Sequence, residues 1–269
     1  MTVTAPQPPD PDYVGSVLNE QGYPFHYAVL RDAMRTESSP FSPWLFAVSE
    51  LPVAVNGKHS RIDFVLRHKG DVAFIVAECK RVNPAFTDWC FFRAPFVRRN
   101  DHQPQFWIEQ WRRDPPVYQA VMEGVPKGSA KGAYHLGLSI KGKLRGDKSG
   151  GDPKDAIENT FTQVMLHVSG FAKLLSQQPG LVPYGGLQQR LIIPVVFTTA
   201  QLWTSDVDLS SADLQSGHVD PSKIKLVARP WIAYQYHTSQ GIRPMETLVG
   251  TNDLTVYLVQ QVIRTISLS

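Results

Sequence analysis

Three side chains between residues 61 and 80 carry the chemistry this sequence offers. Asp63 sits within Arg61-Ile62-Asp63-Phe64-Val65-Leu66. After a short turn, the apolar run Val72-Ala73-Phe74-Ile75-Val76-Ala77 ends in Glu78-Cys79-Lys80. Both runs read as strands, and strand alternation puts Glu78 and Lys80 on one face with Cys79 on the other. Charge at the end of an apolar strand is costly unless it is paired or bound to a metal. A divalent cation held by Asp63 and Glu78, with Lys80 beside it, accounts for all three residues. The plainer alternative is a solvated Glu-Lys pair worth under ~1 kcal/mol. The additional acid on the neighbouring strand favours the metal reading.

These residues need a scaffold, and the chain signals one. Tyr13 to about Met34 reads as helical with a break near Gly22-Tyr23-Pro24, Pro24 opening a second helix. Leu45–Val55 is a strand candidate in which Pro52 calls for an edge position or a bulge. Asn56-Gly57 is a hairpin signal leading into the 61–66 strand, and His68-Lys69-Gly70-Asp71 is a second turn leading into 72–80. This is a three-stranded meander. Residues 81–116 read as irregular, 117–123 as a short helix, and 133–140 as a strand. Pro153 opens a helix ending near Gln177, with an apolar stripe of Phe161, Val164, Val168, Phe171 and Leu175. Arg190–Phe197 is apolar enough for a central strand, where Pro194 fits only at a bulge. Trp231–Tyr236 reads as a strand and Leu254–Ile266 as a closing helix.

Composition bounds the answer without choosing it. The chain has 269 residues, is 42% hydrophobic and 19% charged, and carries a net charge of +3. That suits one large domain that tolerates a polyanionic partner without demanding one. Two cysteines, Cys79 and Cys90, make no disulfide framework and no zinc spacing, so a reducing, cytoplasmic compartment is expected. No apolar run is long enough for a membrane helix, so no membrane partner is expected. No Gly-rich phosphate loop, nucleophile elbow or His-Glu-x-x-His spacing occurs, which argues against ATP hydrolysis, that form of serine catalysis and zinc peptidase chemistry.

The order helix, three strands, insertion, helix, strand, with Asp63 on one strand and Glu78-x-Lys80 on the next, resembles the PD-(D/E)xK nuclease superfamily. Ile62 stands where that family's proline precedes the first acid. The resemblance implies an α/β, restriction-endonuclease-like core: a mixed four-stranded sheet flanked by helices over residues 13–200. It leaves 1–12 as a disordered tail, 81–150 as an aromatic and basic insertion, and 201–269 as a C-terminal extension packed on the same domain. It further implies Mg²⁺, replaceable by Mn²⁺, held by Asp63 and Glu78 with the Cys79 backbone carbonyl as a third oxygen. Lys80 would orient or help deprotonate the attacking water. Members often add an acid on the first helix or strand. Glu20 and Glu50 are the candidates, and Glu50 has the stronger case. A helical glutamine is also common; Gln163 fits, with His167 one turn later where some relatives place a tyrosine.

The activity so implied is DNA phosphodiester hydrolysis, endonucleolytic by expectation, in prokaryotic restriction, phage defence or repair. A homodimer and other proteins of such a system are the implied partners. A catalytically inactive module of the same fold, binding nucleic acid or protein, and an RNA-directed nuclease are the alternatives. Arginine grips phosphate and aromatics stack on bases. Arg81, Arg98 and Arg99, interleaved with tryptophans and phenylalanines, therefore read as a nucleic-acid face, with Lys141 and Lys143 in a second basic stretch. Core packing is the default role of most of those aromatics.

Overall fold

The computed structural model describes residues 10–38, 40, 42–70, 73–83, 86–93, 105–110, 117–122, 134, 136–140, 153–177, 189–236 and 245–250. Helix α1 (Pro11–Glu20) starts on Asp10, whose carboxylate accepts the Asp12 amide at 3.0 Å, with Pro11 in the first turn. Helical structure therefore reaches into the expected tail; residues 1–9 lie outside the described residues. Gly22 turns the chain at φ +77° into α2 (Tyr23–Glu37). Next come β1 (Trp44–Val55), β2 (Lys58–His68) and β3 (Ala73–Lys80). Asn56 and Gly57 join β1 to β2, both at positive φ, as a tight right-twisting hairpin requires. The meander is as the sequence signals.

Further along run β4 (Asp88–Phe92), β5 (Gln105–Gln110), β6 (Val117–Met122), β7 (Leu136–Ile140) and α3 (Pro153–Gln177). Then follow β8 (Gln189–Thr198), β9 (Gln201–Ser205), β10 (Val227–Arg229), β11 (Trp231–Tyr236) and β12 (Met245–Gly250). The chain is mixed α/β with two mixed sheets. The larger has the order β1-β2-β3-β8-β12-β11, with the β5–β6 hairpin also on β8; the smaller has the order β10-β9-β4-β7. β3 and β8 are parallel, in register from Ala73–Leu191 to Lys80–Thr198. β1 lies at an edge, which suits the exposed Pro52.

Four expectations are corrected. Residues 117–123 are not a helix: Val117–Met122 is strand β6, because its Val- and Tyr-containing run pairs with β5. Residues 81–116 are not irregular throughout, since β4 and β5 lie there. The sheet is not four-stranded, because β12 and β11 continue it beyond β8. The region after residue 200 is more than an extension packed on the domain: β9 and β10 belong to the smaller sheet, and β11 and β12 to the larger. The closing helix at Leu254–Ile266 falls outside the described residues.

Pro194 needs no bulge. On β8, residues 189–192 face β5 and residues 195–197 face β12. Pro194 stands between these two stretches, and the β3 register runs through it opposite Val76 without a shift. The alternation along β8 sorts its apolar run to two cores. Ile192 and Val196 pack with Phe161, Val164, Val168 and Phe171 of α3, beside Val65 and Val76. Ile193, Val195 and Phe197 pack with Val29, Leu30 and Ala33 of α2, beside Phe64 and Ile75. The larger sheet is thus sandwiched between α2 and α3, and the face that carries Phe74 and Val76 of β3 carries Glu78 toward α3. Trp89 and Phe91 of β4 are fully buried, so these two aromatics of the expected nucleic-acid face are core.

Candidate metal centre

The centre forms where three neighbouring strands stop pairing regularly. β2 and β3 are in register up to Phe64 and Ala77. One step further, Asp63 and Glu78 would face each other. Instead the Cys79 N–H donates to Oδ2 of Asp63 at 2.5 Å, so a side-chain oxygen satisfies an amide that the ladder no longer reaches. On the other side of β2, the β1 register passes from Ser49–Phe64 to Leu51–Ile62 and skips Glu50. Glu50 has φ +53°, a left-handed backbone that a glutamate adopts at a cost of about 1–3 kcal/mol. This twist turns its carboxylate toward α2.

There it meets His26. His26 Nδ1 lies 3.4 Å from Glu50 Oε1 and 4.0 Å from Asp63 Oδ1. One ligand atom from each of His26, Glu50 and Asp63 lies within 4.8 Å of the other two. Their side chains are 10%, 34% and 19% exposed, so the cluster opens to solvent on the Glu50 side. Arg61 closes that side: its guanidinium donates to Glu50 Oε2 at 3.2 Å. Sequence reasoning missed His26. The signal was available, because His26, Val29, Leu30 and Ala33 form one helical stripe, all buried. A histidine on an otherwise apolar stripe marks a polar partner beneath it.

Glu78 is the deep end of the site, with its side chain only 5% exposed. His167 of α3, wholly buried, places Nδ1 at 3.3 Å from Glu78 Oε2, within ion-pair reach but not aligned as a hydrogen bond. The opposite ring nitrogen of His167 lies 2.7 Å from Ser60 Oγ. Burial pushes the Glu78 pKa well above the ordinary carboxylate range. The nearby Asp63 charge adds to that, and Lys80 partly opposes it. Burial also raises Asp63, with Glu50 adding, against the opposing effects of the Cys79 amide and His26. His167 is pushed down to about 4 by burial and stays neutral at physiological pH. The Cys79 thiol is raised by burial and by both acids, which argues against a reactive thiolate.

The structure therefore brings Glu50 and Asp63 together with His26 of α2; Glu78 is not one of that clustered set and lies against His167 of α3, while the charges of Asp63 and Lys80 are felt at it. The contact that Cys79 makes to Asp63 is through its N–H. Gln163 is half-buried on α3, one turn before His167. Glu20 is exposed at the end of α1 and is not one of the clustered ligands. Arg81 is not held out toward a ligand; its guanidinium donates to the Asn19 carbonyl of α1, tying that helix to the end of β3. Arg98, Arg99, Lys141 and Lys143 lie outside the described residues. Among the described residues no helix is long and apolar enough to cross a membrane. No family model, curated protein or solved structure matches the chain.

The donor chemistry fits a divalent cation. Oxygens of Glu50 and Asp63 suit Mg²⁺ or Mn²⁺, and the His26 nitrogen favours Mn²⁺ of the two. Among the described buried atoms without a hydrogen-bond partner are His26 Nε2, on the ring edge away from the carboxylates, and Glu78 Oε2, which faces His167 Nδ1.

Proposed function

We propose that this chain is a divalent-cation-dependent nuclease of restriction-endonuclease-like architecture that hydrolyses DNA. The observation that carries the reading is the cluster of His26, Glu50 and Asp63 beside the point where β2 and β3 part, with Glu78 near enough to feel the Asp63 charge. The order α2, β1-β2-β3, α3, β8, with β3 and β8 parallel, supports the same architecture.

In this reading Asp63, Glu78, Glu50 and His26 hold the cation, Mg²⁺ or Mn²⁺. When bound, it supplies charge neutralisation at the phosphate and a lowered pKa for the attacking water. The remaining work belongs to the chain. The Cys79 amide fixes the rotamer of Asp63 before substrate arrives, which limits the reorganisation needed later. Lys80, on the Glu78 face of β3, orients the attacking water and offsets the negative charge that develops on phosphate. Buried His167, itself bonded to half-buried Ser60, backs Glu78 on the α3 side. DNA, rather than a small phosphodiester, suits the half-open geometry, with Glu50 and Arg61 at the rim.

The test is direct. Purified protein with Mn²⁺ or Mg²⁺ nicks or cuts plasmid DNA, and Asp63→Asn, Glu78→Gln and Lys80→Ala each abolish cleavage while the circular dichroism spectrum is retained. Robust cleavage by Glu78→Gln would defeat the assignment.

A further inference from the structure

Two consecutive residues of β2 each lead to a different carboxylate of the centre. Ser60 reaches His167 at 2.7 Å, and His167 reaches Glu78 at 3.3 Å. Arg61 reaches Glu50 at 3.2 Å. Both residues also line a single cleft of about 590 Å³, formed by β1, β2 and α3, to which His59 and Lys173 belong as well. The cleft therefore collects two cationic side chains and one titratable one beside an acidic centre. Its floor is tight: Gly170 of α3 leaves no space for a Cβ, which would lie 2.6 Å from Cβ of Val53.

We propose that this cleft receives a backbone phosphate of the nucleic-acid strand, and that Arg61 couples its occupancy to the cation site. The argument rests on the nuclease reading above. The Arg61 side chain is 65% exposed, so a phosphate can reach it, and guanidinium binds phosphate as readily as carboxylate. Without nucleic acid, Arg61 occupies Glu50 Oε2 and places a positive charge at the mouth of the cation site. Both effects oppose a cation. A phosphate in the cleft competes for the guanidinium, neutralises it and releases Glu50. Cation and strand then strengthen each other's binding by the same factor, as linkage requires. The device keeps the centre weakly loaded until a substrate is present.

Calorimetric titration of Mn²⁺ tests this. The experiment uses the full chain carrying Lys80→Ala, so that an added single-stranded oligodeoxynucleotide stays intact. The oligonucleotide is expected to tighten Mn²⁺ binding about tenfold, within the usual span of coupling between sites. Adding Arg61→Gln is expected to raise Mn²⁺ affinity without the oligonucleotide several-fold and to reduce the tightening to under about twofold. Lys173→Gln is expected to weaken oligonucleotide binding while leaving Mn²⁺ binding alone unchanged. Equal tightening with and without Arg61, or no weakening of Mn²⁺ binding by Arg61 in the free protein, would overturn the coupling while leaving the nuclease reading intact. No Mn²⁺ binding under either condition would remove the nuclease reading and the coupling with it.

Discussion

The Asp63 carboxylate accepts the Cys79 amide at 2.5 Å, so a ligand candidate on β2 also ends the ladder between β2 and β3. Its two oxygens have separate tasks. Oδ2 holds the backbone, and Oδ1 faces His26. An asparagine keeps an oxygen for the amide and loses the charge; an alanine loses both. Asp63→Asn is therefore expected to be as stable as the parent at neutral pH, or more so, since burial disfavours the charged form. Asp63→Ala is expected to be less stable by about 1–3 kcal/mol, the cost of an unsatisfied buried amide. Urea unfolding without divalent cations measures both. Equal destabilisation by the two substitutions would show that charge, not the amide bond, sets the contribution of Asp63.

Glu78 and His167 make opposite contributions to stability as pH changes. The folded-state pKa of Glu78 is raised, so the folded protein binds its proton more tightly than the unfolded chain does. Stability from this group is full below about 4.5, the ordinary value, and is lost as pH rises toward the raised folded value. His167 is lowered to about 4, so its contribution is absent at low pH and is recovered as pH rises from about 4 to 6.5. The two trends oppose each other between about pH 4.5 and 6.5. Glu78→Gln removes the loss at Glu78. At pH 8 without divalent cations the variant is expected to melt several degrees above the parent, with the gap closing toward pH 5. Thermal melts across that range decide the matter, and a gap that does not change with pH would contradict the buried-acid account.

Much of this was legible in the sequence, and the misses have physical causes. The meander and the α3 stripe follow from period-two and period-3.6 apolar patterns and from two turn signals. The eight-stranded sheet does not, because the docking of β11 and β12 on β8 is a long-range pairing that no local pattern encodes. Strand β6 was lost to the same cause: Val117–Met122 is too short to show a period, and its partner β5 decides its state. The place of His26 on the apolar stripe of α2 was readable, but the positive φ of Glu50 that brings a carboxylate to it was not, since no glycine in that strand announces the twist.

In the proposed centre, His26 would set which cation is preferred. An imidazole among carboxylates strengthens binding of Mn²⁺ more than of Mg²⁺, which holds oxygen donors and water more strictly. His26→Ala is expected to weaken Mn²⁺ binding about tenfold or more and Mg²⁺ binding by less, narrowing the preference between the two. Competitive titration of the two ions against the parent and the variant reads this ratio. An unchanged ratio would place His26 outside the coordination sphere, as a hydrogen-bond partner of Glu50 alone.

Gly170 links the fold to the site at a distance from the acids. It faces Val53, and a built Cβ would lie 2.6 Å from Val53 Cβ, a separation that side chains cannot adopt. The atom in the way belongs to a β-branched residue on a strand, so no flexible chain end can give way. Gly170→Ala must push α3 from β1, and α3 carries His167 one turn earlier. The gain in helix propensity, about 1 kcal/mol, is therefore expected to be outweighed by an overpacking cost of about 1–3 kcal/mol. Val53→Gly in the same chain removes the clashing Cβ, so the double variant is expected to be more stable than the sum of the two single changes by about 1 kcal/mol or more. Additive behaviour in that cycle would mean that α3 and β1 do not touch at this point. The helix could then not hold His167 against Glu78 in the way described.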